Sequence, residues 1–245
     1  GLRSRPFSVL PDPQFLFWSE NHLLAFSMLR YGLITRAPIT VITGDIGSGK
    51  TTLLRQLLAE MPADLTVGLI SNMQHGRGEL LQWVMSALGR RADAAEYIRL
   101  FEAFQELVVE RYAAGQRVVL IFDEAQNLSV DTLEELRMLS NINSESDEIL
   151  QLVLVGQPQL RDLLAKPELE QFRQRVSSDF HLHPLENTDV ETYIQHRLQV
   201  AGAQWRIFPT RTCELISETT RGVPRLVNIL CDLCLVYGYA SERKV

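Results

Sequence analysis

The stretch Thr43-Gly44-Asp45-Ile46-Gly47-Ser48-Gly49-Lys50-Thr51-Thr52 decides how the rest of the chain is read. It follows the apolar run Ile39-Thr40-Val41-Ile42 and leads into Leu53-Leu54-Arg55-Gln56-Leu57-Leu58. A glycine-rich turn therefore joins a strand-like segment to a helix-like one. Gly44 to Thr51 fits G-x-x-x-x-G-K-[ST], and each residue type in it has a task. Glycines let the loop turn backbone N–H groups toward an anion, and the following helix N-terminus adds its positive end. Lys50 reaches β- and γ-phosphates, and the Thr51 hydroxyl ligates Mg²⁺. A bare strand-to-helix corner is the competing reading. The strand before and the helix after favour the phosphate cradle, built from Gly44, Asp45, Ile46, Gly47, Ser48, Gly49, Lys50, Thr51 and Thr52.

Working outward, Val118-Val119-Leu120-Ile121-Phe122 is a wholly apolar strand that delivers Asp123 and Glu124 to its C-terminal edge, next to the cradle strand. Asp123 suits Mg²⁺, and Glu124 suits the polarising of a water against a γ-phosphate. Two acids at a strand end are often only surface charge, but a phosphate loop upstream favours the site reading. Leu150 to Val155 is another buried strand, and Gln157 just beyond it either touches the γ-phosphate or attacking water or starts the turn to Pro158. Arg173 and Arg175 read as surface ion-pair partners or as a finger offered to a neighbour's γ-phosphate, with Arg175 ahead. Gly222-Val223-Pro224 opens a helix that carries Arg225, either a rim charge or a group that swings over the phosphates.

The remaining pattern alternates. Strands are predicted at Thr40–Thr43, Thr66–Ser71, Arg117–Phe122, Leu150–Val155 and Asp179–His183. Helices are predicted at Glu20–Ile34, Gly49–Glu60, Glu79–Leu88, Ala94–Ala114, Asp131–Asn141 and Gln159–Leu164. Leu23, Leu24, Met28 and Leu29 are taken as the apolar set of the first helix, and Pro6 to Pro13 as extended. Strands this apolar fit a parallel sheet covered by helices on both faces. After Pro184 only helices are read, the first opened by a capping box at Thr188-Asp189-Val190-Glu191 and the second capped by Thr210. The expected organisation is an N-terminal segment and helix over 1–36, an α/β core over 37–184 and a helical lid over 185–245.

Bulk properties narrow the class. The chain has 245 residues and a formal net charge of −6, which argues against a polycation that seeks nucleic acid. Three cysteines fit a reducing compartment, and Cys231-x-x-Cys234 on an apolar helix reads as packing before metal or redox chemistry. His181 and His183 alternate on a strand and read as core or rim side chains. No apolar run reaches membrane-spanning length, and Gly1 to Pro6 is no signal peptide. Gly1 in place of a methionine, and the abrupt end at Val245, point to a piece excised from something longer.

These motifs in this order resemble the AAA+ ATPases. Pro6-Phe7-Ser8, Pro11-Asp12-Pro13, Phe15-Leu16-Phe17 and His22 narrow the resemblance to ExeA/GspA-type ATPases of the general secretion pathway. So do Asp123-Glu124-Ala125-Gln126-Asn127-Leu128, Leu139-Ser140-Asn141, Leu154 to Pro158, and Gly222 to Arg225 with Leu230-Cys231-Asp232. A close cousin is the subgroup encoded with exosortase and exopolysaccharide systems. The resemblance implies a P-loop fold with a five-stranded parallel sheet of order 5-1-4-3-2 and a C-terminal helical lid. It implies sensor 1 at Gln157, the finger at Arg175 or Arg173, sensor 2 at Arg225, and adenine against the Phe7 to His22 segment. It further implies ATP/ADP and Mg²⁺ as cofactors, a homo-oligomer such as an ATP-dependent hexamer, and secretion or envelope-assembly proteins as partners. The location implied is cytoplasmic, or the cytoplasmic domain of an inner-membrane protein, with membrane contact only through parts outside this chain. Cys234, Trp18 and Trp205 depart from the family pattern, while Gln157, a less usual sensor than Asn or Thr in AAA+ proteins generally, fits this subfamily.

Three functions are set against one another. The first is an ATP-hydrolysing motor that powers assembly or remodelling in a secretion or envelope-export system. The second is a DNA-associated regulatory ATPase of the TniB/MuB transposition type, for which Arg77, Arg90 and Arg91 supply local positive charge while the overall acidity argues against it. The third is a nucleotide switch without turnover, against which Glu124 argues.

Overall fold

The computed structural model describes residues 2–71, 80–90, 96–142 and 148–241. In chain order the elements are α1 (Glu20–Ile34), β1 (Ile39–Gly44), α2 (Lys50–Ala59), β2 (Leu65–Ser71), α3 (Leu80–Ala87), α4 (Tyr97–Ala113), β3 (Arg117–Asp123) and α5 (Val130–Leu139). They continue with β4 (Leu150–Gly156), α6 (Gln159–Leu164), α7 (Glu170–Arg173), β5 (Val176–Leu182), α8 (Asn187–Val200), α9 (Thr210–Thr220) and α10 (Pro224–Ala240). They fall into two compact units. One comprises Ser27–Thr43 and Glu60–His181, the other Gly1–Phe26, Gly44–Ala59 and Leu182–Val245.

The first unit holds the sheet, ordered β2-β3-β4-β1-β5. This is the expected order 5-1-4-3-2 read from the other edge. β2 with β3, β3 with β4 and β1 with β4 all pair in parallel. Val118, Leu120 and Phe122 of β3 enter the main core with Leu81 of α3, Phe104 of α4 and Leu136 of α5. Val119 and Ile121 point to the opposite face and are also fully buried. Burial of both faces is what the unbroken apolar strands require. A lone buried polar residue on β4, Gln151, is satisfied. Its Nε2 donates to the Gly32 and Ala37 carbonyls at 3.0 and 3.2 Å, and its Oε1 accepts from Arg117 at 3.3 Å.

The second unit has its own core, in which Phe7 of the N-terminal segment meets Val190 and Ile194 of α8, Ile216 of α9 and Val227 of α10. Cys213 and Cys231 lie in this core, with Cys234 packed against it, as expected for helix packing. Burial pushes the Cys231 thiol up from its ordinary value. Among the described residues there is no cluster of three or more His, Cys, Asp or Glu able to hold a metal. No helix of the described residues is long and apolar enough to cross a membrane.

Several local expectations need correction. β5 runs from Val176 to Leu182, starting three residues and ending one residue earlier than predicted; it takes in Ser177 and Ser178, which the expected strand left out. Leu23 and Leu24 of α1 are about half exposed; the buried positions are His22, Ala25, Phe26, Leu29 and Leu33, one face at helical spacing. Thr188 does not cap α8, which already runs from Asn187 with Glu186 before it. Thr210 is the first residue of α9 rather than its cap, and its hydroxyl is taken up by Arg206 and Glu191. Pro13–Phe15 forms a 3₁₀ turn, capped where Asp12 accepts the Gln14 N–H, so the N-terminal segment is not extended throughout. Glu79, Ala94 and Ala95, the predicted starts of two helices, lie outside the described residues.

Within the second unit α9 ends on two left-handed residues, Arg221 and Gly222. Gly222 carries φ +70°, and a Cβ there would stand 2.0 Å from the Leu185 carbonyl oxygen. The Leu185 N–H donates to Gly222 O at 2.9 Å, so the two backbones lie in direct contact. Gly222→Ala is therefore expected to destabilise by more than about 1 kcal/mol, from left-handed strain and backbone overlap together. Urea unfolding of the variant against the parent measures it; an unchanged midpoint would refute the contact.

Candidate functional site

The cradle belongs to the second unit. Gly47 and Gly49 both take positive φ, +81° and +106°, a conformation that non-glycine residues rarely adopt. Each glycine also makes room for a particular group. A Cβ on Gly47 would stand 2.5 Å from Cβ of Arg225, and one on Gly49 would stand 2.9 Å from Nε2 of His22. Gly44 lies equally close to backbone, with a Cβ there 2.7 Å from the Leu182 oxygen. The loop tightens where the Ser48 N–H donates to Asp45 O at 3.1 Å. Lys50 is buried and folds back over the loop, donating from Nζ to the Gly44 and Asp45 carbonyls at 2.7 and 2.9 Å. Thr51 and Thr52 follow in the first turn of α2, half-buried. Asp45 and Ile46 are exposed.

Two further groups hold this loop. The Arg225 N–H at the start of α10 donates to Gly47 O at 3.2 Å, while the Arg225 residue stays exposed. This puts the expected sensor arginine beside the cradle. The other group is His22, which sequence reasoning assigned only to the segment against adenine. Its Nε2 lies 3.0 Å from Ser48 O, so Nε2 carries the hydrogen and donates. Nδ1 then accepts from the Ser19 hydroxyl at 2.7 Å, and Ser19 Oγ in turn accepts the His22 N–H at 3.3 Å. The Ser19-x-x-His22 spacing at a helix start was the available signal. Burial holds the His22 pKa below its ordinary value, against the Ser48 hydrogen bond and the nearby Asp189 charge.

The N-terminal segment is built into the same unit. Arg197 of α8 is buried and donates to Pro6 O at 2.6 Å, Ser8 O at 3.2 Å and the Tyr193 hydroxyl at 3.1 Å, with its guanidinium 4.8 Å over the Phe15 ring. Phe17 packs edge-on to Tyr193, and Trp18 packs edge-on to Phe26.

The acidic group belongs to the sheet unit. β3 carries Asp123 to its end, where Asp123 Oδ1 accepts the Glu124 N–H at 2.9 Å. This bond accompanies a left-handed backbone at Glu124, φ +57° and ψ 38°, uncommon for a non-glycine residue and frequent at functional sites. Glu124 Oε2 accepts from Gln157 Nε2 at 3.1 Å and from Gln126 Nε2 at 2.6 Å. Asp123, Glu124 and Gln157 are thus brought together. Gln126, quoted in sequence only as part of a motif, joins them; nothing in its spacing announces the contact, because its partner Gln157 comes from another strand end. The two arginines do not join this group. Arg175 is half-buried and donates to the Ser140 hydroxyl and carbonyl at 2.9 and 3.2 Å, at the end of α5. Arg173 is exposed and pairs with Glu170. His181 Nδ1 lies 2.9 Å from the Thr43 hydroxyl, and His183 follows the end of β5.

A P-loop, two acids at the end of β3 (which β4 separates from the strand before the loop, so that it is not next to the cradle strand as expected) and a helical C-terminal lid define a P-loop ATPase of AAA type. A family model described as an AAA domain matches residues 34–164, and the chain belongs to that family. General secretion pathway protein A of Aeromonas hydrophila is 36% identical over 241 residues, 98% of this chain and 44% of the relative. The resemblance to the general secretion pathway type is thereby upheld, and the chain spans less than half of that relative's length. Among solved structures, the Aeropyrum pernix ORC2 protein in ADPNP–ADP complexes superposes with a TM-score of 0.71 at 19% identity, covering 99% of this chain and 69% of that one. Cdc6p from Pyrobaculum aerophilum gives 0.70 at 17%, covering 96% and 67%. At such identities these likenesses speak for the fold alone.

The depressed His22 pKa gives stability a pH dependence of definite sign. Below about pH 6.5 the unfolded chain takes up the proton that folded His22 resists, so stability falls with pH through that window and is fully present above it. His196, whose pKa burial also lowers, adds to the slope. His22→Gln keeps a donor for Ser48 O without the titration. The expected outcome is a melting temperature that drops less between about pH 7.5 and 5.5 than in the parent. Equal drops would show that His22 is not the group responsible.

Proposed function

We propose that this chain binds ATP at the Gly44–Thr52 cradle and hydrolyses it to ADP and phosphate. The observation that carries the reading is the cradle itself: two left-handed glycines, a helix N-terminus and a lysine folded over the loop, a geometry made for polyphosphate. The donor chemistry also fits Mg²⁺, since the Thr51 hydroxyl and the Asp123 carboxylate are the hard oxygen ligands it takes. Those residues would hold Mg²⁺, which would supply charge neutralisation to the phosphates. Glu124 takes a proton from water as the water oxygen bonds to the γ-phosphorus. The bond from that phosphorus to the bridging oxygen breaks, and its electron pair leaves on ADP. Gln157 orients the water, Lys50 and Arg225 hold phosphate charge, and the Phe7 to His22 segment lies against the base.

An arginine of a second copy completes charge stabilisation in a homo-oligomer. Arg173 is the more available of the two, because it need only leave an exposed pair worth about 1 kcal/mol or less, whereas Arg175 would give up two hydrogen bonds to Ser140. The work done is assembly or remodelling in a secretion or envelope-export system on the cytoplasmic side, by analogy with the relative's name. The DNA-associated alternative is not favoured. Of its three arginines, Arg90 pairs with Glu110, and Arg77 and Arg91 lie outside the described residues.

Lys50→Ala is expected to abolish ATP binding measured by calorimetry. Glu124→Gln should bind ATP as the parent does and turn it over about a hundredfold more slowly or worse. Parent-like turnover in Glu124→Gln would remove Glu124 as the base. The finger makes a separate prediction: ATPase rate per subunit should rise with protein concentration, and Arg173→Ala should flatten the rise. A high rate in dilute monomer, independent of concentration, would reject the shared site.

A further inference from the structure

Gln126 lies in neither the phosphate cradle nor the metal ligands, yet both ends of its amide are engaged at the acidic group. Nε2 donates to Glu124 Oε2 at 2.6 Å, and Oε1 accepts the Gln157 backbone N–H at 2.9 Å. A donor partner on one side and an acceptor on the other leave a single orientation for the amide. The approach depends on Gly156, where a Cβ would stand 2.9 Å from Gln126 Oε1 and 3.3 Å from its backbone nitrogen. Both amide donors use Oε2 of Glu124, so Oε1 is the oxygen left to take a proton.

We infer that Gln126 is a positioning residue: it fixes the Glu124 carboxylate for proton abstraction and ties it to Gln157 at the end of β4. The inference rests on the reading of Glu124 as the base. A glutamate side chain has three rotors, and holding it in one arrangement before reaction removes an entropic cost from the barrier. Gln126 supplies the shorter of the two bonds that hold it. Through Oε1 it also anchors the backbone of the residue that supplies the second. A change in how Gln157 sits is thereby passed directly to the base.

The test compares the whole chain with Gln126→Met, Glu124→Gln and the double variant at one protein concentration. Methionine keeps the length and loses both hydrogen bonds. kcat of Gln126→Met is expected to fall about tenfold with ATP affinity unchanged. In the Glu124→Gln background the same substitution should cost nothing further, since there is no base left to position. Hydrogen exchange supplies a readout free of turnover: the Gln157 amide should exchange faster in Gln126→Met without nucleotide. Gln126→Glu guards against misfolding of the methionine variant. It keeps shape and acceptor but sets a second carboxylate against Glu124, so its kcat should fall further than that of Gln126→Met. Parent kcat in Gln126→Met, an equal loss in both backgrounds, or an unchanged Gln157 exchange rate would each overturn the inference. Parent turnover in Glu124→Gln alone would instead overturn the assignment of the base, so the two failures are distinguishable.

Discussion

A parallel sheet buried on both faces has one edge where its strands end, and chemistry collects there. Apolar side chains fill both faces of β3 and β4 apart from Gln151, whose amide is fully taken up by Gly32, Ala37 and Arg117, so neither face has room for further polar work. The first positions free to carry it are those where the strands stop. Asp123, Glu124 and Gln157 all occupy such positions, as does the loop that leaves β1.

Both groups of candidate residues rely on unusual backbone. The loop carries left-handed glycines at 47 and 49, and Arg225 and His22 stand where their side chains would be. At Glu124 the left-handed turn is adopted by a residue that has a side chain, and the Asp123 carboxylate accepts its N–H at 2.9 Å. In the first case the chain gives up a side chain to gain the shape. In the second it keeps the side chain and uses a neighbour to stabilise the shape. The difference has a chemical reason: a loop that offers backbone N–H groups needs no side chain, whereas a carboxylate does.

The lid unit shows how an N-terminal segment with little regular structure is kept in place. Phe7 is fully buried in a core of helices, and Arg197 binds two carbonyls of the same segment while covering Phe15. The Tyr193 hydroxyl accepts from Arg197 and donates to Asn228 at 2.9 Å, continuing the chain of contacts to α10, which begins beside Arg225. The N-terminal segment and α10 therefore share one hydrogen-bonded network within that unit.

The sequence by itself determined what is local. The cradle is legible because its glycines, lysine and threonine lie within one turn, and the strands are legible because burial on both faces leaves unbroken apolar runs. Asp123, Glu124 and Gln157 were legible as strand ends. The buried face of α1 was not, because Leu23 and Leu24 are as apolar as the residues that are buried, so composition does not single out a side. The helix starts at Thr188 and Thr210 were misread because a capping pattern states only what a hydroxyl can do, while tertiary partners decide what it does; Arg206 and Glu191 claimed Thr210. His22 on Ser48, Arg225 on Gly47 and Gln126 between Glu124 and Gln157 were decided only by the tertiary structure. Each joins residues from different elements, and a hydrogen bond between distant segments leaves no period or spacing in the chain.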